Sequence, residues 1–72
     1  MRLEKTEHDY YTGNDYLYYV EMIGKSWYYI KVMVDLKIMN EKILEAIKEN
    51  AQKQFDEKRR ELALRDVGLF YN

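Results

Sequence analysis

Two β-prone runs, residues 15–23 (DYLYYVEMI) and 26–35 (SWYYIKVMVD), stand either side of Gly24-Lys25. No other feature constrains the fold as tightly. Tyr, Trp, Val and Ile suit a pleated, half-buried surface, and the chain has no proline to interrupt them. A two-residue connection with glycine first is the preferred chemistry of a type II′ turn, whose twist matches that of the strands it joins. The pair therefore reads as an antiparallel hairpin. The aromatic residues concentrate in the same region: of 8 tyrosines and 1 tryptophan, only Tyr71 lies outside residues 10–29.

The hairpin register decides which side chains share a face. A two-residue loop sets Ile23 opposite Ser26 and Met22 opposite Trp27. Leu17, Tyr19, Ile23, Tyr28, Ile30, Val32 and Val34 then share one face, interrupted by Glu21. Tyr16, Tyr18, Val20, Met22, Trp27, Tyr29, Lys31 and Met33 share the other. A three-residue loop slips one strand by a residue and turns all its side chains over. It gathers Tyr16, Tyr18, Val20, Met22, Tyr28, Ile30, Val32 and Val34 on one apolar face, with Glu21, Lys31 and Asp35 behind. Turn chemistry favours the first register and the apolar pattern favours the second. In both, Trp27, Tyr29 and Met33 lie opposite Ile30, Val32 and Val34.

On either side of the hairpin the pattern changes. Residues 3–11 are polar and read as an edge strand whose charges discourage pairing with other chains, ending at the turn signal Thr12-Gly13-Asn14-Asp15. From residue 41 the period becomes helical. Asn40 is a good N-cap with Glu41 in the first turn, and Ile43, Leu44, Ile47, Ala51, Phe55 and Leu62 form an apolar stripe. Gly68 is the expected stop, with Leu69 as its hydrophobic follower. The expected helix is 41–66 and the tail 67–72. The fold class expected over residues 1–72 is a single α+β domain: a meander of two or three antiparallel strands and one long C-terminal helix on one face. Such a helix is longer than the strands, so its second half runs past the sheet and Leu62 needs cover from the tail or from another molecule.

Composition narrows the function classes. A chain of 72 residues buries only about 60% of its unfolded surface, which favours self-association or a larger partner. With no cysteine and only His8, neither disulfides nor a Cys/His zinc site is available. Twelve basic side chains against 13 acidic ones give a net charge of −1, and the balance holds in both halves, so the basic footprint of a nucleic-acid binder is missing. No apolar run is long enough for a membrane span, and the polar start lacks a signal-peptide core. The expected setting is the cytoplasm.

No nucleophile–base pair or glycine-rich phosphate loop is legible. No catalytic, cofactor-binding or metal-binding residue is assigned, and an enzyme is not expected. Glu41, Glu45 and Glu49 form a row on one helix face, and Lys58-Arg59-Arg60 a basic cluster diluted by acids; both read as solvated faces. Tyrosine and tryptophan offer large rigid contact surfaces with a polar tip. The expected function is therefore a non-enzymatic protein-interaction module, a small inhibitor or regulator that occludes a larger protein or pairs with itself. The alternative is a nucleic-acid-binding regulator using the aromatic sheet or the basic end of the helix. The candidate partner-binding residues are Tyr16, Tyr18, Trp27, Tyr29, Lys31, Met33, Arg59 and Leu62. In size, charge balance and an amino-acid usage that suggests an AT-rich genome, the chain resembles in style, though not by any motif, the small inhibitors that phages direct at host proteins.

Overall fold

The computed structural model describes the backbone of residues 1–71 and the side chains of residues 1–65. Three strands, β1 (Arg2–His8), β2 (Asp15–Ile23) and β3 (Ser26–Val34), precede one helix, α1 (Glu41–Tyr71). The sheet is an antiparallel meander in the order β1-β2-β3, so the arrangement is βββα, an α+β fold. The backbone of α1 packs across β2 and β3 and does not approach β1.

The hairpin adopts the register of the two-residue loop. Ile23 pairs with Ser26, Met22 with Trp27 and Tyr19 with Ile30. Gly24 takes φ +64°, and Lys25 keeps an ordinary negative φ. One positive φ at the first turn position is the signature of type II′. Turn chemistry therefore prevails over the cleaner apolar pattern of the slipped register. The reason lies in α1, which buries the face containing Glu21 and makes use of that residue. Glu21, its side chain 11% exposed, accepts from Arg59 Nη2 at 2.6 Å, from the Met1 amino group at 2.9 Å and from Gln52 Nε2 at 3.3 Å. A carboxylate that looks like an interruption in sequence is the polar centre of the sheet–helix junction.

The core comprises Leu17, Tyr19 and Ile23 from β2 and Ala51 and Phe55 from α1, with Tyr28, Ile30, Val32, Val34, Leu44, Ile47 and Leu62 partly buried against it. The helical stripe runs Leu44, Ile47, Ala51, Phe55, Leu62, and Ile43 turns outward at 37% exposure. Lys58 occupies the gap between Phe55 and Leu62. Its stem covers apolar surface while its amine lies 5.6 Å from the centre of the Tyr28 ring, the usual way a long cation snorkels.

Three boundaries differ from the sequence expectation. β1 ends at His8 instead of residue 11 because Asp9 starts the turn. Its carboxylate accepts from the N–H groups of Tyr11 and Thr12, at 2.9 and 3.4 Å, and its carbonyl from Gly13 N–H at 2.7 Å. Gly13, at φ +78°, completes the reversal. β3 stops one residue short of Asp35, whose carboxylate accepts from the Lys37 N–H at 2.9 Å. The helix runs through Gly68 to Tyr71 instead of ending at 66, so residues 67–71 belong to it. Glycine in a helix costs only about 1 kcal/mol relative to alanine, and no proline follows to enforce a stop. The contact expected of Leu69 lies outside the described residues. The N-terminus of α1 is as expected: Asn40 Oδ1 accepts from the Ile43 N–H at 2.9 Å.

At about 1.5 Å per residue, the 31 residues of α1 reach about 46 Å, against about 30 Å for a nine-residue strand. The helix thus sets the 50 Å long axis of the molecule. Leu62 nonetheless finds its cover within the fold, against the core. Leu64 is left exposed, at 66%.

Candidate partner-binding surface

Among the described residues, no element covers the face of the sheet turned away from α1. Alternation along β2 places Tyr16, Tyr18, Val20 and Met22 there, and alternation along β3 places Trp27, Tyr29, Lys31 and Met33 beside them. Val20, at the centre, is 2% exposed. It is walled in by its neighbours on both strands and by its partner on β1, Arg2. Beside it Met22 is 47%, Trp27 49% and Tyr29 62% exposed, and Met33, farther along β3, is 63% exposed.

β1 adds charge to this face through a bulge. Its register shifts between Leu3 and Lys5: Arg2 pairs with Val20 and Leu3 with Tyr19, but Lys5 pairs with Tyr18 and Glu7 with Tyr16. The extra residue, Glu4, breaks the alternation, as a bulge does. Arg2 and Lys5, three apart in sequence, consequently point to the same side.

The cations lie on the aromatic rings. The Lys31 amine is 4.1 Å from the centre of the Tyr16 ring and 5.7 Å from that of Tyr18. Lys5 stands 4.7 Å from Tyr18, and the Arg2 guanidinium 5.5 Å from Trp27. These are cation–π distances. The Tyr18 hydroxyl beside it raises the Lys31 amine above its ordinary value. Tyr18 also donates to Glu7 at 3.5 Å, Glu7 pairs with Lys5 at 3.2 Å, and Glu4 pairs with Arg2 at 3.4 Å. The face is an aromatic and methionine surface crossed by three cations and bordered by two carboxylates at its β1 margin.

Six of the eight sequence-derived candidates come together here: Tyr16, Tyr18, Trp27, Tyr29, Lys31 and Met33. The other two do not. Arg59 is tied to Glu21 and, at 3.0 Å, to Asp56 on the opposite side of the sheet, and Leu62 packs on the core. Both are parts of the fold. Arg2, Lys5 and Met22 belong to the surface as well. A strict two-residue alternation puts Arg2 and Lys5 on opposite faces, so the bulge hid them.

The helix-side face of β1 holds a second polar feature. His8 Nδ1 lies 2.7 Å from Asp15 Oδ1, and the His8 ring meets Tyr10 edge-on at 4.7 Å. The pair ties together the two ends of the β1–β2 loop on an exposed edge. Among the described residues, no group of three or more His, Cys, Asp or Glu side chains is gathered in one place, and no helix is long and apolar enough to cross a membrane. Comparison with protein-family models, curated proteins and solved structures finds no match for this chain.

Proposed function

We propose that the protein is a non-enzymatic interaction module that binds a larger protein through the open sheet face, as a small inhibitor or regulator of the phage type acting in the cytoplasm. The observation that carries this reading is the half-exposed Trp27, with Met22 and Tyr29 beside it and Met33 farther along β3, on a sheet face that α1 leaves bare. Rigid aromatic anchors concentrate interface energy, and truncating one at a hot spot costs about 2 kcal/mol or more. Methionine beside them adapts to an irregular partner surface. The cations Arg2, Lys5 and Lys31 favour a partner with an acidic rim.

One observation favours a second reading, a single-stranded nucleic acid stacked on the same face. Arg2, Lys5 and Lys31 alternate with rings, the combination that stacking platforms use. Against it, these cations already cover ring faces that bases would need, and Glu4 and Glu7 border the site.

The test is affinity capture from nuclease-treated lysate with wild type, Trp27→Ala and Tyr29→Ala, alongside anisotropy of labelled single-stranded oligonucleotides over a salt series. A protein retained stoichiometrically by wild type and lost by both variants is expected, with no oligonucleotide binding at physiological salt. Tight oligonucleotide binding that weakens steeply with salt replaces the protein reading with the second one.

A further inference from the structure

The two margins of the sheet are built differently. β1 is guarded by Arg2, Glu4, Lys5 and Glu7 and by the bulge, all recognised defences of an edge strand. β3, the other margin, is far less defended: its nine residues, SWYYIKVMV, hold one charge, Lys31, and no proline, bulge or carboxylate. The two-residue turn makes Ile23–Ser26 the pair that exchanges backbone hydrogen bonds, and such pairs recur at every second residue. The even-numbered residues of β3 therefore bond to β2. Trp27, Tyr29, Lys31 and Met33 aim their N–H and C=O groups at the open margin.

A groove of about 430 Å³ follows that margin between β3 and α1. Ile30 and Val32 form its floor, and Ala46, Ile47, Asn50 and Gln54 its helical wall. No charged group of α1 lines it.

We infer that this margin is the site at which a second copy of the chain pairs, β3 antiparallel to β3 about a two-fold axis at Ile30. The strand is complementary to its own reverse in that register. Tyr29 meets Lys31 of the second copy, a cation–aromatic pair, and Trp27 meets Met33, a sulfur–aromatic pair. On the helix side Ile30 meets Ile30 and Tyr28 meets Val32. All nine residues pair, and every outward N–H and C=O of β3 is satisfied. Centring the axis on Lys31 instead sets two ammonium groups face to face, which is destabilising, and centring on Tyr29 shortens the ladder. The product is one continuous sheet of twice the strands, with both helices on one side and the aromatic surface continuous across the axis. Two-fold closure of this kind is the commonest form of self-assembly.

Three measurements on the whole chain test the inference. Sedimentation should show a dimer for wild type; a monomer at the concentration of an NMR sample overturns it. The chain has no cysteine, so Ile30→Cys introduces a single thiol that meets its own copy. At a non-hydrogen-bonded pair the Cα atoms lie about 4.5 Å apart, within disulfide reach. Ile30→Cys should oxidise to a covalent dimer on a non-reducing gel, and Tyr28→Cys and Val32→Cys should not; cross-linking by either of those two in place of Ile30→Cys overturns the register. Tyr29 is well exposed, so its replacement tests pairing without disturbing the core. Tyr29→Lys places like charges opposite Lys31 and should raise the dimer Kd about tenfold, while Tyr29→Glu should keep it near wild type. Equal weakening by both rules out the pairing of residue 29 with Lys31.

Discussion

The two faces of the hairpin are almost equally apolar in sequence, yet they have opposite fates. Leu17, Tyr19 and Ile23 lie under α1 at 5% exposure or less; Trp27, Tyr29 and Met33 stand at 49 to 63% on the other side. A single helix can cover only one face, so the other stays open. The covered face is chosen by what α1 brings besides apolar bulk. Arg59 and Gln52 satisfy Glu21 only when that face is turned inward. The larger aromatic content went to the uncovered face, so aromatic richness alone is a poor guide to what is core.

The comparison can be broken first at its centre. Phe55 is 1% exposed and packs against β2. Phe55→Ala should cost about 3–5 kcal/mol in a urea melt. A small loss there would mean that α1 does not hold the covered face.

Glu21 is the next test. The hydrogen bond from the Met1 amino group holds its carboxyl below the ordinary value of 4.5, assisted by Gln52 and Arg59 and opposed by burial. Because the folded value lies below the unfolded one, the stabilisation is fully present above that ordinary value and is lost as pH falls through the folded one. Glu21→Gln should lower stability at neutral pH by about 2 kcal/mol and flatten the acid limb of a stability–pH curve. An unchanged acid limb would show that Glu21 contributes nothing to the choice of face.

Tyr19 sharpens the comparison in the opposite direction. Its ring is 2% exposed, and its hydroxyl has no hydrogen-bond partner among the described residues. Burial, with the Glu45 charge, raises its ionisation above the ordinary value. Removing an unsatisfied buried hydroxyl recovers its desolvation cost, so Tyr19→Phe should stabilise the fold by about 1 kcal/mol. A loss of stability on calorimetry would reveal a partner for that oxygen.

The smallest effect on folding is expected on the open face. Trp27→Ala should change stability by no more than about 1 kcal/mol and leave the helical circular dichroism intact while weakening association. If it unfolds the chain, the open face is part of the core.

Much of this architecture was legible because it is local. Gly24 at the first turn position favoured the register that forms, although the apolar pattern left the slipped one open; Asn40 set the start of α1, and the change of period separated strands from helix. The open face was legible where alternation is unbroken: once the register is fixed, Tyr16, Tyr18, Trp27, Tyr29, Lys31 and Met33 share it. Arg2 and Lys5 were not, because a bulge at Glu4 reverses the parity of β1, and nothing within β1 itself announces it. The contacts of Arg59 with Glu21 and of Leu62 with the core were not legible, because those partners lie far away in sequence.

Turns, caps and periodicity depend on interactions within a few residues, and the sequence determined those by itself. Which face α1 covers, where Glu21 finds its cation, and how far the helix runs past Gly68 were decided only in the tertiary structure. Each depends on burial and charge pairing between segments that are distant along the chain, where local preferences of about 1 kcal/mol are outweighed by the contacts the whole fold makes.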